Sequence, residues 1–323
     1  MIFLLCLLTV VFVLLMLKLD CDITTWFYEK TGTNLHLFYS NKVVWVTGSS
    51  TGIGAALAVQ AAKYGAKLVL TARQEPLLNE VRTKCIAAGA AEENILVLPL
   101  DLCEFSKHKE AFDTVLNKFG RLDVMIHNAG RSQRARWEHI DLEVDRSMFD
   151  LNVFSVINLT RVILPHMLTA KQGMIGIMSS PAGKSGVPFS GTYTGSKHAL
   201  HGYFESLRNE KVGSGIDITM LCPGPTFSNL LQVAATEKFG ERFGESMKPG
   251  DKRMTAERCA ELSLIAVANK LPESWLCFAP VLPMMYLNQY LPAVSKSLMK
   301  LLGAKFLANV RDSRNAMESD KYK

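Results

Sequence analysis

From Met1 to Leu17 every position is apolar except Thr9, and 13 of these residues are Leu, Ile, Val or Phe. At about 0.3 to 0.6 kcal/mol each, such a run contributes roughly 4 to 8 kcal/mol to membrane insertion. As a helix rising ~1.5 Å per residue it spans about 26 Å, close to the ~27 Å core of the endoplasmic reticulum bilayer. No Lys or Arg precedes it, and Lys18 to Thr25 offers no small-x-small cleavage site. The pattern predicts a retained single-pass anchor over residues 1–19 rather than a cleaved signal peptide. Only Lys18 and Lys30 follow closely, so the positive-inside rule specifies orientation weakly, leaning to a cytosolic body.

Beyond a linker at 20–36 the pattern changes. Short, continuous apolar and β-branched runs stand at Val43 to Val46, Leu68 to Leu70, Ile95 to Leu98, Val124 to Ile126, Met174 to Met178, Ile216 to Leu221 and Trp275 to Phe278. Helix-length segments lie between them, and three of these, Ile53 to Tyr64, Pro76 to Ala88 and Lys107 to Phe119, stop at Gly65, Gly89 and Gly120. Glycine there suits the left-handed residue that ends a helix. Strands apolar on both faces and alternating with helices predict a doubly wound, Rossmann-type α/β fold with a parallel sheet of about seven strands, one domain over 37–280. Residues 281–323 read as an extension, apolar at first and then basic and amphipathic.

Composition narrows the classes of function. With 48% hydrophobic and 20% charged residues the chain is not disordered. A net charge of +6, dispersed along the sequence, argues against nucleic acid as a partner but suits an anionic membrane face. Seven cysteines with no C-x-x-C spacing indicate neither a disulfide framework nor a metal site.

Directly after the first strand run stands Thr47-Gly48-Ser49-Ser50-Thr51-Gly52-Ile53-Gly54, opening a helix. A strand, a glycine turn and a helix N-terminus make a phosphate cradle, because uncapped N–H groups and the helix dipole face the anion. Where an acidic residue would hold the ribose 2′-hydroxyl of NAD, the chain reads Thr71-Ala72-Arg73. Arg73 can pair with a 2′-phosphate instead, a charge-assisted bond of ~1.5 to 3 kcal/mol worth roughly 10- to 150-fold in favour of NADPH/NADP. The competing reading is a solvated arginine at a helix entry. Asp101 is placed equally well to meet the adenine or to serve as a turn residue.

Tyr193 and Lys197 stand four apart at the start of a helical run, so both side chains share one face. A neighbouring ammonium lowers a tyrosine pKa by ~1 to 3 units from its usual ~10, making Tyr193 an acid or base for hydride chemistry. Ser180, at the end of the fifth strand run, is placed to hydrogen-bond the same substrate oxygen, with Ser179 as the alternative serine.

Together, Thr47-Gly-x-x-x-Gly-x-Gly54, Asn128-Ala129-Gly130, Ser180, Tyr193-x-x-x-Lys197 and Pro223-Gly224 resemble the short-chain dehydrogenase/reductase family over roughly residues 41–280. The resemblance implies a nicotinamide-dependent oxidoreductase. In it Tyr193 exchanges a proton with the substrate oxygen, Ser180 polarises that oxygen, and Lys197 binds the nicotinamide ribose and lowers the tyrosine pKa. It also implies that Asn152 holds a water joining the lysine to solvent, and that Gly48, Ser50, Thr51, Gly52, Ile53, Gly54, Asn128, Pro223, Gly224 and Thr226 contact the cofactor. His127, where many relatives carry Asn, is a departure with a structural role. The segment from Thr226 to Arg253 falls where relatives place a mobile lid.

The apolar N-terminus, Val43-Val-Trp-Val-Thr-Gly48, Leu164-Pro-His-Met167, Ser196-Lys-His-Ala-Leu200 and Cys222-Pro-Gly-Pro225 resemble a membrane-anchored branch of that family. That branch implies lipophilic carbonyl or alcohol substrates such as steroids and retinoids, an endoplasmic reticulum address and contact with membrane lipid; a homodimer through the long helices is compatible with it. Fatty-acyl or sphingoid ketones, and a noncatalytic NADP-binding membrane protein, are the alternatives. The extension holds Lys296, Lys300, Lys305 and Arg311 beside Leu298, Leu302 and Phe306, which reads either as a helix lying on anionic lipid or as a segment packed on the body. The polar tail from Arg311 onward reads as frayed.

Overall fold

The computed structural model describes residues 17–312. The anchor expected over residues 1–19 therefore lies almost wholly outside the described residues; Leu17 and Lys18 are helical and exposed. All seven strands form where the apolar runs predict them: β1 (Val43–Thr47), β2 (Lys67–Thr71), β3 (Ile95–Val97), β4 (Val124–His127), β5 (Gly173–Met178), β6 (Ile216–Pro223) and β7 (Glu273–Leu276). They make one parallel sheet in the order β3-β2-β1-β4-β5-β6-β7. The chain reverses its direction of travel across the sheet between β1 and β4, the switch point beside which a parallel sheet opens a crevice at its carboxyl edge.

In chain order the helices are α1 (Ile23–Thr31), α2 (Leu35–Tyr39), α3 (Gly52–Lys63), α4 (Glu75–Ala87), α5 (His108–Phe119), α6 (Leu142–Phe149), α7 (Ser155–Ala170), α8 (Gly191–Glu210), α9 (Ala256–Ala268), α10 (Val281–Tyr290) and α11 (Pro292–Asp312). Alternate strand residues face opposite layers. Val44, Val46, Leu68 and Leu70 pack with α3, α4 and α9, while Val43, Trp45, Met125 and Ile177 pack with α5, α7 and α8. Both faces are covered, which is why the strands read as unbroken apolar runs. Gly65, Gly89 and Gly120 all take positive φ, as their position after a helix requires.

Among the described residues one continuous helical stretch, Leu142–Ala170, has the length and apolarity of a membrane span. Its Leu159, Ile163 and Met167 are fully buried against the sheet, so its apolarity belongs to the core.

Residues 20–36 are not a linker. Asp22 caps α1 by accepting from Thr25 N (3.0 Å), and its own backbone and carboxylate pair with Trp275 at the free edge of β7 (2.8 and 2.7 Å). Arg258 on α9 holds Asp20 (2.8 Å) and Glu29 (2.7 Å). These partners lie more than two hundred residues away in sequence, so no local pattern reveals them. Arg311 and Asp312, expected in a frayed tail, are likewise docked: Arg311 donates to Pro188 O (2.7 Å), and Arg134 pairs with Asp312 (2.7 Å).

Candidate active site

At the carboxyl edge of the sheet a cleft of about 810 Å³ runs from the β1 turn to α11. Its floor is the glycine turn. Gly48 takes φ +66°, and a Cβ there would stand 2.8 Å from Ala129 Cα; a Cβ on Gly54 would collide with Gly48 O and the Asn128 amide. Only glycine lets α3 begin this close to β1. Thr51, the N-cap of α3, makes no side-chain cap and binds Asn229 Oδ1 (3.1 Å) instead. The first-turn N–H groups of α3 thus have no side-chain partner, and Gly48, Ser50, Thr51, Gly52 and Ile53 line the cleft. This cradle fits a pyrophosphate. Gly54 is behind the wall, where it permits the close approach.

Asn128 lines the cleft, yet its amide donates to Thr47 O (3.0 Å) and Gly48 O (3.2 Å). It shapes the turn. Arg73 is exposed on the same wall, and no carboxylate stands among the lining residues Ala72, Arg73 and Gln74 at the end of β2. Asp101 also lines the cleft and accepts from Cys103 N (2.9 Å), as a turn residue does. Pro223, Gly224 and Thr226 form the wall beyond β6; a Cβ on Gly224 would meet Cys277 Cβ at 2.5 Å.

The candidate acid–base residues also line this cleft. Tyr193 and Lys197, a turn apart on α8, both face the cleft, with the Lys197 ammonium 5.7 Å from the Tyr193 ring centroid, and Ser180, whose hydroxyl accepts from Ala182 N (3.2 Å), lines the same cleft. Ser179 points away: its hydroxyl meets His201 Nε2 (3.0 Å) beneath the Pro181–Gly183 turn. Ser180 is therefore the serine at the tyrosine. His201, Glu205 and Glu273 bring ligand atoms within 4.8 Å of one another, but the Lys184 ammonium lies 3.2 Å from Glu273 and supplies the positive charge there. His127 is buried, bonded to Thr160 Oγ1 (2.9 Å) and pushed down to about 3 by burial, a structural residue as expected.

The electrostatics differ from the sequence expectation. Burial pushes the Tyr193 phenol above its ordinary value, with the Ser180 hydrogen bond and Arg134 opposing it. Lys197 is not among the groups that pull the phenol down. Its ammonium donates to Met178 O (2.7 Å), and burial lowers its own pKa to about 8. With a pKa of about 8, Lys197 still carries most of its charge at pH 7.

Asn152 does not line the cleft. It lies in a π-turn, Asp150–Phe154, between α6 and α7, where its amide accepts from Arg131 N (2.8 Å) and donates to Arg131 O (2.9 Å) and Ser196 Oγ (3.0 Å). Its side chain ties the loop after β4 to α8; a Cβ on Gly130 would fall 3.2 Å from Asn152 Oδ1 and 3.6 Å from Lys197 Nζ. π-Turns of this kind recur at functional sites.

Several lining residues escaped the sequence reading. Arg131 and Arg242 join Arg73 along the cleft; burial and then these two neighbouring guanidiniums lower the Arg131 pKa. Arg131 follows Gly130 directly, so the motif already pointed at it; Arg242, in the segment from Thr226 to Arg253, gave no signal. That segment is held in place by Ala235, which bridges Gln133 and Arg242 and bonds Ser132 O (2.9 Å). On the far side, Met284, Met285, Met299, Leu307 and Val310 bring the C-terminal helices into the cleft wall.

Residues 42–238 match the family model described as short chain dehydrogenase. The chain is 38% identical to "Dehydrogenase/reductase SDR family member 7" of Homo sapiens, covering 97% of this chain and 93% of that one. It is 34% identical to "Dehydrogenase/reductase SDR family member 7B" of Mus musculus over 72% of each. Its fold is similar to a short chain dehydrogenase/reductase from Burkholderia phymatum solved in complex with NAD, with a TM-score of 0.68 at 23% identity, covering 79% of this chain and 95% of that one. A short-chain dehydrogenase from Streptomyces avermitilis superposes with a TM-score of 0.67 at 26% identity, over 81% and 96%.

Proposed function

Since the chain belongs to the short chain dehydrogenase family of nicotinamide-dependent oxidoreductases, we propose that it is a membrane-anchored, NADP(H)-dependent enzyme of the endoplasmic reticulum. Its substrates are ketones or aldehydes on lipophilic frames such as steroids and retinoids, or the corresponding alcohols. The observation that carries the reading is the placement of Ser180, Tyr193 and Lys197 in the same cleft as the glycine cradle.

The nicotinamide cofactor, when bound, supplies or accepts the hydride. The protein's own work is protonic and positional. The Tyr193 hydroxyl gives a proton to the carbonyl oxygen in reduction and takes it back in oxidation. A phenol pushed up by burial is protonated at neutral pH, the form that reduction needs. Ser180 adds a second hydrogen bond to the oxygen as its charge develops. Lys197 has an ammonium free to exchange its bond with Met178 O for one to a ribose hydroxyl.

Three features support the finer assignment. Arg73 stands where NAD-specific relatives place an acid, with Arg131 and Arg242 adding positive charge on the same side. Methionines at the substrate end suit bulky apolar frames, since an unbranched thioether adapts its shape to them. The sequence of residues 1–17 supports the anchor. The deciding experiment incubates full-length protein in vesicles with NADPH or NADH and a panel of steroid ketones, retinal and quinones. NADPH-dependent alcohol formation is expected; faster turnover with NADH would overturn the cofactor assignment.

A further inference from the structure

The C-terminal helices roof the cleft with one side and leave the other without a partner among the described residues. Met299, Leu307 and Val310 line the cleft. Val294, Leu298 and Leu301 of α11, at successive steps of four and three residues, fall on one stripe outside it, and Leu301 is 83% exposed. Tyr290 is 71% exposed at its head. No Asp or Glu stands between Glu273 and Asp312, while Lys296, Lys300 and Lys305 are exposed and make no ion pair among the described residues.

The route of the chain points to the same flank. Leu19 packs beside Leu282 and Met285 of α10, and Ile23 N donates to Tyr286 Oη (3.0 Å). The apolar sequence of residues 1–17 thus joins the body next to α10. There α1 exposes Ile23, Trp26 and Phe27. Apolar residues therefore stand exposed on α1 and on α11, with α10 between them.

We propose that this flank lies on an anionic bilayer, with the α11 stripe in the acyl boundary and its lysines at the headgroups, so that the cleft between α10 and α11 takes its lipophilic substrate from the membrane. The proposal rests on the reading of residues 1–19 as an anchor and adds a second contact that fixes how the body sits. An apolar stripe flanked only by lysines is the composition of an interfacial helix. A second copy of the chain fits less well, because another α10–α11 pair carries no Asp or Glu between Glu273 and Asp312 to meet the lysines beside the stripe.

The test uses full-length protein in vesicles of phosphatidylcholine with or without phosphatidylserine, doped with a phospholipid carrying a photoreactive tail, and maps adducts by mass spectrometry. Adducts are expected on peptides covering 291–301 as well as on residues 1–17. Leu298→Glu/Leu301→Glu removes the former and keeps the latter. Each of Lys296→Gln and Lys300→Gln weakens the α11 signal by about fivefold, only when phosphatidylserine is present. The Leu298→Glu/Leu301→Glu variant raises KM for a membrane-dissolved ketone and leaves turnover of a water-soluble carbonyl unchanged, which also shows that it folds. Adducts confined to residues 1–17 overturn the second contact and leave the anchor standing. No adducts on either segment overturn both, and cross-links between α11 peptides of two copies replace the lipid by a second chain.

Discussion

A phenol whose pKa is raised by desolvation is a poor base and a serviceable acid, and the direction of the shift sets the pH dependence. Because burial raises Tyr193, the protonated form persists through neutral pH. Carbonyl reduction, which uses that form, is expected to hold its kcat/KM until the Lys197 ammonium discharges near pH 8, before Tyr193 loses its proton. Alcohol oxidation, which needs the phenolate, climbs with pH across the same range, and a pH-rate profile in both directions checks it. Tyr193→Phe lowers kcat about 10²- to 10⁴-fold, while the NADPH affinity read by fluorescence titration stays within about threefold. Lys197 yields a prediction of opposite sign for stability and activity. Its folded pKa of about 8 lies below the 10.5 of a free lysine, so the fold penalises its charged form. That penalty is full below about pH 8 and disappears as pH rises toward 10.5. Lys197→Met is therefore expected to abolish turnover yet unfold at higher urea, by about 1 to 3 kcal/mol at pH 7, the range allowing for the Met178 carbonyl left unpaired. A variant less stable than the parent would show that the ammonium is a net structural tie.

At the scale of elements, what was legible followed from whether its cause was local. The seven strands announced themselves because a doubly covered parallel sheet makes every strand position apolar, and the three helix stops because a left-handed residue favours glycine. Ser180, Tyr193, Lys197 and the glycine turn were legible as motifs, and the sheet brings them to one edge. The assignment of 20–36 to a linker failed because Asp20, Cys21 and Asp22 look like a polar break, whereas their partners Arg258 and Trp275 come from the far end of the chain. Arg242 was invisible for the same reason: the Ala235 bridges and the Asp141 N bond to Glu237 O (2.9 Å) bring its segment against the loop after β4. Its arrival on the Arg73 side has a measurable consequence. Arg73→Ala is expected to reduce the ratio of NADPH to NADH affinity roughly 10- to 150-fold. Arg242→Ala reduces the same ratio by a smaller factor, because this guanidinium is exposed and solvent screens it. Equal loss of both cofactors in either variant would assign the arginine to the pyrophosphate common to them.

For the whole molecule, the last described turn of α11 decides whether the cleft keeps its roof. Asp312 is 2% exposed, and burial alone would raise its pKa; Arg134 and Arg311 outweigh that and hold it down at about 2. Arg253 reaches the Asp312 carbonyl (2.6 Å), and Arg311 also grips Ser190 Oγ (2.8 Å) at the head of α8. The Asp312 carboxylate and main-chain carbonyl, with the Arg311 side chain, therefore join the loop after β4, the turn before α8, the segment ending at Arg253 and the C-terminal helix. Its folded pKa lies below the 3.8 of a free aspartate, so the stabilisation, about 2 kcal/mol, is present above roughly pH 4 and drains away as pH falls from 4 toward 2. Asp312→Asn removes it at every pH and leaves two guanidiniums buried without their anion, a loss of about 3 kcal/mol at pH 7. Urea midpoints of parent and variant should then differ at pH 7 and converge near pH 2. The ion pairs hold an edge of the molecule rather than its sheet, so the loss is expected first as local opening. Amide exchange over residues 304–312 and 186–190 accelerates in Asp312→Asn before β1 or β5 responds, and KM for a lipophilic ketone rises with it. Uniform acceleration across the sheet would show instead that the roof and the core unfold as one unit.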